Sequence, residues 1–265
     1  MAITYRDGVF IAVLIIYVPA LVVATYLMFR HGIRNFRSSV WRFVVTFALI
    51  RVLTACFQLA TIASPTNYSL YVGYVTLISI AISVLECAAL AFLRELVVDT
   101  KKTVSGVPLA KWLTRAQLFT TVGLILGVAG GILTNEDYGK TGVYKPSSVS
   151  KVSIAFFIVS FAVILLVTVM AWSSTGSAGH GRLVLMTVAF SLPFLLVRII
   201  YSAISIFANA VDFSAISGSV TTLLCMALIE EIVVVVAYEA VGLVMPVPPK
   251  HHRVGDSSSL QGEEL

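Results

Sequence analysis

Long stretches without any charged residue constrain this chain more than any other feature of its sequence. Lys, Arg, Asp and Glu are absent from four ranges, 8–29, 52–85, 116–135 and 152–179. One helix needs about 20 apolar residues to cross the hydrocarbon core of a bilayer, and each range is long enough. Only 12% of the residues are charged, against roughly 25% in soluble domains. These ranges exclude a soluble domain and predict a polytopic membrane protein.

Seven segments have the length and composition of membrane-spanning helices, which predicts an all-α fold. They are residues 8–29, 40–62, 70–93, 113–133, 152–172, 183–207 and 219–245. The first span carries no small-residue cleavage site after it, so we expect it to stay in the mature protein. We expect residues 1–249 to form one membrane domain and the Ser-rich residues 250–265 to form a disordered tail.

The Lys and Arg residues near the helix ends are distributed unequally between the two sides of the membrane. One side has Arg30, Arg34, Arg37, Arg42, Arg94, Lys101, Lys102, Lys111, Arg115, Arg182, Lys250 and Arg253, and the other has Arg6, Lys140, Lys145 and Lys151. Because positive charge accumulates on the cytoplasmic side, this distribution predicts a lumenal or extracellular amino terminus and a cytosolic carboxyl terminus. We expect an endomembrane such as the endoplasmic reticulum. The net charge of +5 is explained by this asymmetry, and no nucleic-acid partner is expected.

Helices two and six share a pattern that predicts an internal repeat. Phe47 to Leu53 aligns with Phe194 to Ile200 and places Arg51 and Arg198 at the same register. A glutamate then follows at a similar separation in each half, at Glu86 in the first and at Glu230 in the second. These matches favour two parallel three-helix repeats, residues 8–98 and 152–247, linked by the helix at 113–133. The alternative is coincidence among seven apolar helices.

Five charged side chains lie well inside the predicted spans, away from their ends, where each one costs about 2.5–3.5 kcal/mol unless it faces protein or water. They are Arg51, Arg198, Glu86, Glu230 and Glu231. Residues three, four and seven apart share a helix face. Gln58 therefore shares a face with Arg51, Tyr201 with Arg198, and Tyr238 with Glu231. Glu230 and Glu231 are about 100° apart on their helix, so one is expected to pair with an arginine while the other faces a neighbour or a cavity.

These side chains have two interpretations. In the first, Glu86, Glu230 and Glu231 are catalytic acid–base groups in a polar cavity, and Arg51, Arg198, Gln58, Tyr201 and Tyr238 bind substrate or balance charge. Two arginines cannot neutralise three carboxylates, so one carboxyl is expected to be neutral. In the second, the arginines and glutamates form two buried bridges that hold helices together.

Other kinds of site are not favoured by the sequence. His31, His180, His251 and His252 fall in predicted loops or the tail, where solvated histidine is expected, and no metal site or organic cofactor is predicted. Cys56, Cys87 and Cys225 lie in apolar runs and predict no disulfide. Gly127, Gly130 and Gly131 follow no strand, so we interpret them as helix-packing residues and not as a nucleotide loop.

Several motifs of this chain resemble those of one protein family. Arg30-His31-Gly32 after the first span, Trp41 ahead of residues 47–51, and the run from residue 226 to Gly242 resemble a family of fungal seven-helix membrane proteins known as a domain of unknown function. The likeness covers most of residues 9–244, and the chain departs from it in the basic stretch 34–37 and the doubled Glu230-Glu231. The resemblance implies the fold and no activity. In size, helix count and membrane carboxyls, though in no motif, the chain is also similar to fungal membrane-bound terpenoid cyclases.

The sequence therefore favours a membrane enzyme that cyclises or isomerises a lipophilic, terpenoid-like metabolite of fungal secondary metabolism by acid–base chemistry. The alternatives are a small-molecule transporter or seven-helix receptor, and a structural membrane protein. The expected partners are the lipid bilayer and a lipophilic small molecule, and the sequence does not determine the oligomeric state.

Overall fold

Seven long helices make up the computed structural model, which describes residues 5–31, 38–64, 68–100, 103–104, 107–141, 147–172, 180–207 and 220–245. The helices are α1 (Tyr5–Arg30), α2 (Ser38–Ala63), α3 (Tyr68–Thr100), α4 (Leu109–Thr141), α5 (Ser148–Trp172), α6 (His180–Phe207) and α7 (Val220–Val244). All seven are long and apolar enough to cross a membrane, which confirms the predicted all-α class and helix number.

The link between α3 and α4 is the one place where the described residues form a β ladder. Strands β1 (Thr103–Val104) and β2 (Val107–Pro108) pair antiparallel. Both neighbouring helices contain 33 residues, which at 1.5 Å per residue gives about 50 Å and exceeds the ~30 Å hydrocarbon core. Helix structure therefore continues past the apolar segments predicted at 70–93 and 113–133, because backbone hydrogen bonding does not stop where hydropathy falls.

Successive helices alternate in direction, so the bundle has two ends. We call the end where α1, α3, α5 and α7 begin the N face and the opposite end the C face. Helix α3 is central and packs against α2, α4, α5 and α6. Every residue from 81 to 90 is buried, whereas the outer helices expose large apolar side chains such as Val22, Ile125 and Val169 to the lipid.

Close packing of α4 on α5 depends on small residues. A Cβ at Gly130 would lie 2.6 Å from the backbone nitrogen of Ser150, and one at Gly127 would lie 2.9 Å from the Ser153 hydroxyl. The Ser153 hydroxyl donates to the Gly123 carbonyl at 2.7 Å. The packing role predicted for Gly127 and Gly130 is confirmed, but the same role for Gly131 is wrong, because a Cβ there would meet nothing within 4 Å.

Helix α7 contains a π-helical turn one residue before its pair of glutamates. Residues Val220–Leu223 are α-helical, Leu224–Leu228 form the π turn, and Ile229–Val244 are α-helical again. A π turn holds one extra residue and so rotates the following segment by about 100° relative to an uninterrupted α-helix. After this turn, Glu231 and Tyr238 point into the bundle while Glu230 lies at its partly exposed side.

An aromatic cluster joins α1, α2, α3 and α7 in the C-face half. The His31 ring stacks on Trp41 with the ring centroids 5.4 Å apart, and its Nε2 lies 3.2 Å from the Gly242 carbonyl oxygen. Trp41 contacts Phe92, and Phe92 contacts Tyr238. The expectation of a solvated His31 is wrong, since the residue is 2% exposed. It follows directly on α1, and the α1–α2 helix pair encloses its ring.

Candidate functional site

Both intramembrane arginines contact the same carboxylate. Arg198 donates from Nε to Glu231 Oε1 at 2.8 Å, and the Arg51 guanidinium forms an ion pair with Glu231 Oε2. All three residues are at most 2% exposed. The side chains come from α2, α6 and α7, so this Arg51–Glu231–Arg198 triad connects three helices and carries one positive charge in excess.

The triad differs from the expected pairing of one arginine with one glutamate in each half of the chain. Glu86 forms no ion pair with either arginine, and Glu230 forms none either. The two-bridge arrangement is therefore wrong. The physical reason is the π turn, which places Glu231 between Arg51 and Arg198 and turns Glu230 away.

Glu86 lies in a separate polar cluster among α3, α4 and α5. Its carboxyl group is next to the hydroxyls of Thr120 and Ser160, and the residue is fully buried. Thr120 donates to the Ala116 carbonyl at 3.0 Å, and the two hydroxyl oxygens are 2.5 Å apart. Each hydroxyl has one proton, and either one can be the donor of the contact between them. Neither Glu86 oxygen has a hydrogen bond of ordinary geometry among the described residues.

A cavity of about 80 Å³ lies in the N-face half between α3, α4, α5 and α6. Arg198, Tyr201 and five serines contribute its polar lining, while isoleucines and Phe157 contribute the apolar part. The serines are Ser79, Ser150, Ser153, Ser202 and Ser205. Two lining residues, Ser150 and Ile206, lie within two residues of a helix end, so the cavity extends to the N face.

The cavity and the Glu86 cluster are adjacent along the same helices. Ile82 lines the cavity four residues before Glu86, and Phe157 lines it three residues before Ser160. Residues at these spacings share a helix face, and four residues rise about 6 Å. Glu86 therefore lies one turn deeper than the cavity, with Ile82 and Phe157 as the floor between them.

The remaining predicted site residues do not all meet at one place. Tyr201 lines the cavity, whereas the Tyr238 hydroxyl pairs with the Ser191 hydroxyl at 3.0 Å and its ring belongs to the aromatic cluster. Gln58 is buried two turns from Arg51 and is not among the residues lining the cavity. The structure thus brings Arg51, Arg198 and Glu231 together and leaves Glu86, Gln58 and Tyr238 in different surroundings.

Two residues near the triad were not predicted from the sequence to belong to the site. The Tyr17 hydroxyl is buried beside Glu231, Arg51 and Glu239 and has no hydrogen-bond partner among the described residues. Glu239 is also buried, at 8% exposed. It is eight residues after Glu231, which places it about 80° further round the helix, so the face of Glu231 gave no clear signal for it. Tyr17 had no signal either, because α1 contains no other buried polar residue nearby.

Metal binding finds no support in the described ranges, where no three His, Cys, Asp or Glu side chains are close enough to hold an ion. The cysteines are free, with Cys87 buried and Cys56 and Cys225 at the lipid-facing surface. The polar groups of the cavity are hydroxyls and one guanidinium, which suit an organic or oxyanionic group better than a transition metal.

The fold and this cavity define a seven-helix integral membrane protein with an internal polar site. The chain belongs to the family described as Domain of unknown function (DUF7702), which matches residues 3–247. No curated protein and no solved structure matches it. The family motifs quoted from the sequence meet in space, since His31, Trp41 and Gly242 contact one another in the aromatic cluster.

Proposed function

We propose that this protein is a membrane-embedded enzyme that isomerises or cyclises a lipophilic, terpenoid-like metabolite, with Glu86 as the proton donor. The observation that carries the proposal is the position of Glu86: it is fully buried, without an ion pair, and one helical turn below a polar cavity. An isolated carboxylate in such a place is far less stable than the neutral acid. A neutral carboxylic acid is the form that a general acid requires.

The hydroxyls beside Glu86 are compatible with the same protonation state. Thr120 also contacts the Ala116 carbonyl at 3.0 Å and the Ser160 hydroxyl at 2.5 Å, so its proton has other acceptors besides Glu86. A protonated Glu86 can instead donate to their oxygens. When substrate enters, rotation of Ile82 and Phe157 would bring the acid into contact with the cavity.

The proposed reaction balances with Glu86 alone. Its O–H bond breaks as the proton forms a new C–H bond on a double bond of the substrate, which leaves a carbocation. Loss of a proton from a neighbouring carbon returns that proton to the Glu86 carboxylate and yields an isomer. Ile82 and Phe157, the apolar part of the lining next to Glu86, limit the access of water that would otherwise capture the cation.

The roles of the other carboxyls change accordingly. Glu231 holds two arginines, so it balances charge and is a poor proton donor. Glu230 lies at the partly exposed side of α7 and does not line the cavity. Of the three carboxyls singled out in the sequence, Glu86 is the one whose surroundings suit acid catalysis.

Deuterium incorporation tests the proposal even while the substrate is unidentified. Membranes containing the protein, made permeable to ions, are incubated in D₂O with a lipid extract from the same host lacking the protein. We expect an isomer that carries one deuterium and is absent when Glu86→Gln replaces the protein at equal abundance. The matched control, Glu230→Gln, should retain the product. A labelled product that persists in Glu86→Gln would overturn the assignment.

A transporter is the second candidate. The cavity reaches the N face while its floor is closed, as expected of one state of an alternating-access carrier. In sealed proteoliposomes, a carrier would accumulate a compound from the same extract unchanged in mass, and an uncoupler would abolish that accumulation. An enzyme needs no gradient, so this measurement separates the two functions.

A further inference from the structure

One face of α6 supplies unused hydrogen-bond donors to the cavity. Arg198, Ser202 and Ser205 are spaced four and three residues apart, so they share a face, and all three line the cavity. We call them the donor stripe. Other cavity serines are already engaged, since Ser79 donates to the Val75 carbonyl and Ser153 to the Gly123 carbonyl.

The Arg198 guanidinium has donors to spare. Of its five N–H groups, one is donated to Glu231, one to the Ser202 hydroxyl at 2.8 Å and one to the Ile78 carbonyl at 3.3 Å. Two remain. Ser202 accepts from Arg198 and keeps its own proton, which has no acceptor among the described residues.

The electrostatics of the cavity select the charge of a ligand. Its described lining contains one cation and no carboxylate, and the triad behind that cation has a positive charge in excess. Guanidinium and hydroxyl donors converging in a site of low dielectric favour an oxyanion over a neutral alcohol. The space of about 80 Å³ fits a small acidic group and the first carbons attached to it.

We propose that the cavity binds the carboxylate or phosphate of an amphiphile, with the oxyanion on the donor stripe and the hydrocarbon against Ile78, Ile82 and Phe157. The proposal rests on the proposed function, because it names the substrate class of that same cavity. In this arrangement Arg198 holds the acidic end of the substrate, and the hydrocarbon end is directed towards Glu86.

Three probes separate the contributions of charge and chain: octanoate, 1-octanol, which has the same chain without the charge, and acetate, which has the charge without the chain. Binding is measured with the full chain in phosphatidylcholine nanodiscs, with empty nanodiscs subtracted. We expect saturable octanoate binding that is at least tenfold tighter than that of either other probe. If octanol binds as tightly as octanoate, the cavity does not recognise the negative charge, and the proposed oxyanion site is wrong. If acetate binds as tightly as octanoate, the site takes small free anions, and the proposed amphiphilic ligand is wrong.

Arg51→Gln and Arg198→Gln form a matched pair, since each removes one arginine from the triad but only Arg198 lines the cavity. We expect Arg198→Gln to weaken octanoate binding at least tenfold. Arg51→Gln removes the same excess charge but no donor of the cavity, so it should weaken binding less than tenfold. Should Arg198→Gln fail to fold, the double variant Ser202→Ala/Ser205→Ala tests the same stripe and should weaken binding three- to tenfold. Unchanged binding in that variant would overturn the site. Because no turnover is measured, failure here leaves the deuterium test of Glu86 independent.

Discussion

Single buried charges determine how the helices of this protein are held together. Glu231 is the shared partner of two buried arginines and the one carboxylate with which either forms an ion pair among the described residues. Removing one member of a buried ion pair leaves an uncompensated charge, which costs more than the pair itself contributes. The integrity of the α2–α6–α7 contact therefore depends on one carboxylate.

Glu231→Gln should destabilise the protein by about 3–5 kcal/mol, because two buried arginines would then face a neutral amide. The unfolding midpoint in detergent and the abundance in membranes measure this effect. Glu230→Gln is the control, since the neighbouring carboxyl forms no ion pair with either arginine, and it should shift the midpoint little. Equal midpoints for the two variants would contradict a stabilising role for the triad.

At the scale of helices, the close contact between α4 and α5 depends on glycine at the positions where the two helices meet. Gly130→Ala should cost about 1–3 kcal/mol, because the added Cβ would meet the Ser150 backbone. Gly131→Ala should be neutral or stabilising by up to about 1 kcal/mol, since its Cβ would meet nothing and alanine favours helix. Thermal unfolding of the two variants in the same detergent measures the difference. Destabilisation by both would mean that general helix packing, and not this contact, is limiting.

The helices themselves could be predicted from the sequence, but their orientations about their own axes could be predicted only where polar residues mark the buried face. Apolar length alone identified all seven spans. In a membrane, lipid and protein interior are equally apolar, so hydrophobic periodicity does not mark the buried face. The polar residues mark it instead, which is why the inward faces of Arg51 with Gln58 and of Arg198 with Tyr201 were predicted correctly. The choice between Glu230 and Glu231 required the π turn, which has no clear sequence signature.

Most residues of the site could be predicted individually, but the contacts between them could not. The sequence identified the buried charges, and one of its two interpretations placed them in two Arg–Glu bridges, whereas the structure has one triad and leaves Glu86 apart from it. His31 was misplaced because its ring contacts Trp41 of the next helix and the Gly242 carbonyl of α7, and the sequence pattern indicates neither contact. The parallel repeat stays a prediction, and the triad is not symmetric, since both arginines contact the carboxylate from the second half.

For the molecule as a whole, the charge distribution predicts that the N face is lumenal and the C face cytosolic. In a variant whose native cysteines are replaced by alanine, Lys101→Cys and Lys145→Cys place single thiols in the segments that follow α3 and α4 in the sequence, which the charge distribution assigns to opposite sides of the membrane. In sealed microsomes with the cytosolic side outward, an impermeant maleimide should modify Lys101→Cys directly and Lys145→Cys after detergent is added. The opposite order of labelling would reverse the topology.

Arg198 takes part in two equilibria at once, because it contacts both the cavity and Glu231. Any ligand that draws this guanidinium towards itself weakens its hold on α7, and by thermodynamic linkage a shift of α7 changes the affinity for that ligand by the same factor. Ligand occupancy on one side of the bundle would thereby be communicated to the helix on the other side through a single cation.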